Sequence, residues 1–212
     1  MEPGSYKIAL DGQWTLDDFY QLPHTFAQVY AFHYAFHSDA EVRNPARLAR
    51  AFADYPWGGG YTVLNFYRAI SSQIPEELRP IVRSIQKASP GFMDLALLVA
   101  AATAIGRVVK VVVQSADSIH TLYEKIHKGL YERKLLRIKT GKKQLQLLQD
   151  EMEFVKASTE QLAKVLDFQK LEQLHELTEN ELISLKILLS YYRQIRILSD
   201  YETKGKAVFP ED

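Results

Sequence analysis

Apolar and polar positions along this chain follow two periods, and the change between them marks the expected elements. At the start, Tyr6, Ile8 and Leu10 alternate with Lys7 and Ala9 and run into Asp11-Gly12, the pattern of a short strand closed by a turn. From Thr15 the spacing becomes helical. TLDD places a hydroxyl where it accepts from first-turn NH groups, and it sets two carboxylates at the positive end of the helix. Pro23 is expected to kink or restart this helix, because its ring removes a backbone donor. The continuation HTFAQVYAFHYAFH is aromatic on nearly every side, which predicts burial on more than one face.

Asn44-Pro45 reads as a second helix start, with Asn as cap and Pro at the first helical position. That helix should stop near YPWGGG, and a third fits YTVLNFYRAISSQI. Ile81, Arg83, Ile85 and Lys87 then alternate with Val82, Ser84 and Gln86, predicting a strand closed by the turn Ser89-Pro90-Gly91. This strand is expected to pair with the N-terminal one, and the pair depends on helix packing because two strands alone are marginal.

From Leu95 the helical period dominates, although the β-branched RVVKVVV after Gly106 makes a third strand over 107–113 the competing reading. After Ser115 the only breakers before Gly205 are Gly129 and Thr140-Gly141. Leu145, Leu148, Met152, Val155, Leu162 and Leu166 follow a 3-4 spacing, with Thr159 at the remaining seam position, the pattern of a helix that packs against another helix. Thr178 and Glu181 have capping-box spacing before ELISLKILLSYYRQIRIL, a helix too apolar to be solvated all round. KGKAVFPED reads as a frayed tail or a short docking segment. The expected fold is mainly α with a small β element near the N-terminus and an extended, coiled-coil-like helical C-terminal part. The expected boundaries are 1–115, 116–204 and a tail over 205–212.

Composition narrows the chemistry. A hydrophobic fraction of 47% and a charged fraction of 25% are those of a globular chain. The formal net charge is zero, from 26 basic and 26 acidic residues, so only local segregation could attract a polyanion. Cysteine is absent, which excludes disulfides, thiolate nucleophiles and cysteine metal sites and fits a reducing cytoplasm. MEPGSYKIALDGQW lacks the basic and apolar regions of a signal peptide. The uncharged run from Leu95 to Gly106 falls short of the about 20 residues that cross a bilayer, and it reads as a core helix.

Charge is segregated in the C-terminal half. Lys125 to Lys143 holds eight basic residues and one acid, whereas Asp150 to Glu181 holds nine acids and three lysines. On a continuous helix Lys125, Lys128, Lys139, Lys142 and Lys143 share one side and could track phosphates. Arg133 and Arg137 break the phase of the opposite stripe, however, and no aromatic residues interleave for base stacking. A solvated face next to a turn at Thr140-Gly141 is the favoured reading.

Other chemistry is sparse. His33 and His37 share a helical face and His24 is near them, but the flanking aromatic residues favour packing over a metal. WGGGY lacks the lysine of a phosphate-binding loop, and Ser89 lacks the small flanks of a nucleophile elbow. Asp11, Asp17 and Asp18 are explained by turn and cap. No catalytic residue, metal or cofactor is nominated. The chain is expected to be a non-enzymatic interaction or scaffold protein. It would self-associate or bind a helical partner through Leu145, Leu148, Met152, Val155, Leu162 and Leu166, with nucleic-acid binding as the alternative.

Overall fold

The structure, a computed structural model, describes residues 2–37, 41–55, 62–137 and 147–211. Among these it forms eight α-helices and a small antiparallel sheet. Strand β1 (Gly4–Leu10) is followed by α1 (Leu16–Ala35), α2 (Pro45–Ala53), α3 (Thr62–Ser71) and a 3₁₀ turn at Glu76–Leu78. Strands β2 (Ile81–Gln86) and β3 (Gly91–Leu97) then lead into α4 (Val99–Gln114) and α5 (Ala116–Glu132). A second 3₁₀ turn, Leu135–Arg137, precedes α6 (Gln149–Val165), α7 (Leu171–Thr178), α8 (Glu181–Thr203) and the short β4 (Ala207–Val208).

The local signals act largely as their chemistry requires. Thr15 accepts from Asp18 N while the Asp18 carboxylate reaches back to Thr15 N, and Asn44 accepts from Arg47 N. Helix α1 continues through Pro23 without restarting. Leu22, Phe26, Val29, Tyr30, Phe32 and Tyr34 of this helix are all fully buried. At TENE the cap is Asn180, whose side chain accepts from Ile183 N. Thr178 turns inward instead and shares a 2.7 Å contact with the Ser184 hydroxyl.

The sheet order is β2-β3-β1-β4. The expected pairing of β1 with β2 is replaced by a central β3 that pairs with both, Tyr6 opposite Leu95 and Ile8 opposite Met93. Tyr6, Ile8 and Leu10 with Met93, Leu95 and Leu97 form its buried face. Residues 107–113 are helical, so the third strand comes from 91–97. Helices α4 and α5 bend by 90° at Ser115, and no single helix among the described residues is long and apolar enough to cross a membrane.

The expected coiled-coil-like extension is not what the C-terminal helices form. Helix α8 packs against α1, α4, α6 and α7, and every residue from Leu182 to Tyr192 is buried. Its apolar circumference therefore meets neighbours from the same chain on all sides. The C-terminal segment docks: Phe209 is buried against Phe26, and Tyr6 Oη donates to the Pro210 carbonyl at 2.8 Å.

Candidate functional site

The apolar seam divides. Leu145 lies outside the described residues. Val155, Leu162 and Leu166 are buried in the core of this chain, where α6 packs on α8. Thr159 is buried with them, its hydroxyl donating to the Val155 carbonyl at 2.7 Å. Leu148 and Met152 are 67% and 49% exposed. They stand at the start of α6, near the end of α5, where Tyr131 is also exposed. A concavity of about 340 Å³ at this end is lined by Tyr131, Glu132, Lys134 and Leu136.

The basic run breaks where its phase breaks. Helix α5 ends at Glu132, Lys134 takes a left-handed backbone (φ 57°), and Arg133 folds over the Phe154 ring at 4.2 Å. Gly129 permits this close packing, since a Cβ there would meet Phe154 at 2.3 Å. Lys125 and Lys128 are exposed, and Lys128 Nζ lies 3.9 Å from Glu132. Lys139, Lys142, Lys143 and the Thr140-Gly141 pair lie outside the described residues, as do the glycines of WGGGY.

A second region surrounds the expected histidine pair. His33 and His37 line a cavity of about 310 Å³ between α1, α4 and the α6–α7 connection, with Arg107, Asp167, Phe168 and Lys170. His24 is drawn elsewhere, 2.9 Å from Gln28 and stacked on Tyr20. Among the described residues no group of three His, Asp or Glu side chains is placed to hold a metal ion. His33 Nε2 lies 2.7 Å from Tyr191 Oη, and burial pulls its imidazole from 6.5 to about 4.

That shift predicts an acid sensitivity. Below pH 6.5 the unfolded chain takes up a proton at His33 that the folded chain refuses until about pH 4. The stability present above the unfolded value is therefore lost as pH falls toward the folded one, by on the order of 3 kcal/mol at the acid end. Thermal unfolding at stepped pH should show this loss, and His33→Gln should flatten it. An unchanged slope in the variant would assign the loss to other groups.

Polar groups continue along α8 beside Tyr191, the partner of His33. The Tyr191 hydroxyl neighbours Tyr67, and burial raises the pKa of both. The Tyr67 and Tyr55 hydroxyls lie beside Ser190, and Tyr55 also faces Arg193. Arg193 Nη1 donates to Tyr123 Oη at 3.4 Å. Tyr67 Oη and Ser190 Oγ are nonetheless buried without a hydrogen-bond partner among the described residues. Lys186, on the same helix, is buried, and desolvation draws its ammonium down to about 8.

Sequence reading missed this cluster, because its members are scattered from Tyr55 to Arg193. One signal was available: Ser190 and Arg193 sit three apart in an otherwise apolar helix, so they share a face. The fold defines a mainly helical α+β protein with a small four-stranded antiparallel sheet. Comparison with models of known protein families, with curated proteins and with solved structures finds no match.

Proposed function

We propose that the protein is a non-enzymatic interaction module that associates with a second copy of itself through the α5–α6 end. The observation that carries this reading is the exposure of Leu148, Met152 and Tyr131 where the end of α5 meets the start of α6. Charged side chains of both signs rim this patch, Lys128, Glu132 and Lys134 from α5 and its end and Asp150, Glu153 and Lys156 from α6. A two-fold axis here buries the same apolar patch of both copies against each other. The concavity beside Tyr131 can receive an apolar side chain from the opposite copy.

Burying each exposed apolar side chain contributes about 1.5–3 kcal/mol. Association costs about 4–15 kcal/mol, so the expected dimer is weak and dissociates on dilution. Molar mass by light scattering should show it. Leu148→Asp with Met152→Asp should give a monomer with an unchanged melting temperature, since both positions are exposed. A wild type that stays monomeric at high concentration would reject self-association. Binding of labelled RNA or DNA that falls steeply with added salt, without dimerisation, would move the function to the lysines of 125–143.

A further inference from the structure

Strand β2 is the outer strand of the sheet: among the described residues it pairs with β3 on one side and with no strand on the other. Alternate residues of an antiparallel strand turn their NH and C=O groups to opposite edges, so half of its backbone groups face outward without a partner strand. Every residue from Ile81 to Gln86 is exposed. The register sets Val82 opposite Leu95 and Ile85 opposite Met93, on the face that covers the core. Leu95 and Met93 are buried there, whereas Val82 and Ile85 are each 46% exposed. Pro23 and Ala27 of α1 line a cavity of about 60 Å³ with Pro80 and Val82. By their spacing Leu16 and Tyr20 share that face of α1, and both are exposed. A shallow apolar groove therefore runs between α1 and the open edge of β2.

Backbone edge and groove share one complement. An extended chain laid along β2 pairs its own NH and C=O groups with the outward ones and sets alternate side chains over Val82 and Ile85. A helix would cover the groove but leave the strand edge unpaired. Charge then selects among extended segments. A bulge between Val82 and Ser84 leaves Arg83 with no opposite residue on β3, exposed and in no ion pair among the described residues. A second copy of β2 paired in full overlap would set the two Arg83 side chains next to each other, and like charges across a strand pair repel. We propose that β2 and the exposed face of α1 take up an extended segment of another protein, with apolar residues at alternate positions and a carboxylate that meets Arg83. The segment adds a strand to the sheet outside β2.

A capped peptide of alternating valine and threonine with one glutamate, titrated into the whole chain, tests this by calorimetry and amide hydrogen exchange. Saturable binding is expected, with exchange slowed at the amides of 81–86. The same peptide methylated at its backbone nitrogens should bind about tenfold more weakly or worse, since it keeps its side chains and loses its main-chain donors. Val82→Thr with Ile85→Thr should also weaken binding about tenfold, and an exposed strand tolerates this β-branched exchange. Arg83→Glu should weaken binding of the glutamate peptide and strengthen binding of one with lysine in its place, a reversal that loss of fold could not produce. No binding, binding without slowed exchange at 81–86, or equal affinity for the methylated peptide would overturn the proposal. So would protection of 81–86 that rises with protein concentration alone, the mark of a second copy on this edge. Leu148→Asp with Met152→Asp should bind the peptide as the wild type does, so failure of self-association and failure of this site are read apart.

Discussion

Phe209→Ala is expected to destabilise the protein by about 3–5 kcal/mol, the range for emptying a buried phenylalanine site. Three residues before Asp212, this side chain is 4% exposed and stacks on Phe26, with ring centroids 6.3 Å apart and planes at 7°. The backbone around it is held from three sides. Tyr6 donates to the Pro210 carbonyl, Arg107 Nε donates to the Glu211 carbonyl at 3.1 Å, and Lys110 pairs with the Glu211 carboxylate. Gly106→Ala probes the same joint from α4, because a Cβ there would meet the Pro210 carbonyl oxygen at 2.0 Å. Chemical denaturation measures both, with exposed Val208→Ala as the control. A Phe209→Ala protein within about 1 kcal/mol of wild type would show that the segment does not contribute to the core.

Leu162→Asp should prevent folding, while Leu148→Asp should leave the melting temperature where it is. The two leucines occupy equivalent positions of one 3-4 pattern, yet Leu162 is 0% exposed and Leu148 is 67% exposed. Removing the Leu162 side chain alone costs about 2–5 kcal/mol. Adding a carboxylate with no partner in an apolar site raises that cost further, to the scale of the whole stability of a domain, about 5–15 kcal/mol. Far-ultraviolet circular dichroism and thermal melts separate the outcomes. A folded Leu162→Asp protein would mean that α6 does not depend on α8, and loss of fold in Leu148→Asp would place that residue in the core.

The same pair of leucines shows how far the chain can be read without coordinates. Spacing marked both as seam residues, and only the position of α8 decides that one is covered by its own chain and the other is left to solvent. The expected extension failed for this reason: a helix apolar all round must be covered, and here α1, α4, α6 and α7 do so within one chain. Strand β3 escaped because Met93, Leu95 and Leu97 alternate for only a few residues before the helical run of α4, too short a stretch to separate period two from an apolar helix start.

Elements set by near neighbours were determined by the sequence itself. The caps at Thr15 and Asn44, the strands at 4–10 and 81–86 and the turn at 89–91 all follow from residues within a few positions of one another. Tertiary structure alone decided the strand order, the burial of Val155 and Leu162, the docking of Phe209 on Phe26, and the gathering of Tyr67, Ser190 and Arg193. Those outcomes depend on distances between residues remote along the chain. No local period carries such distances; they exist only once the helices have packed and water has been excluded between them.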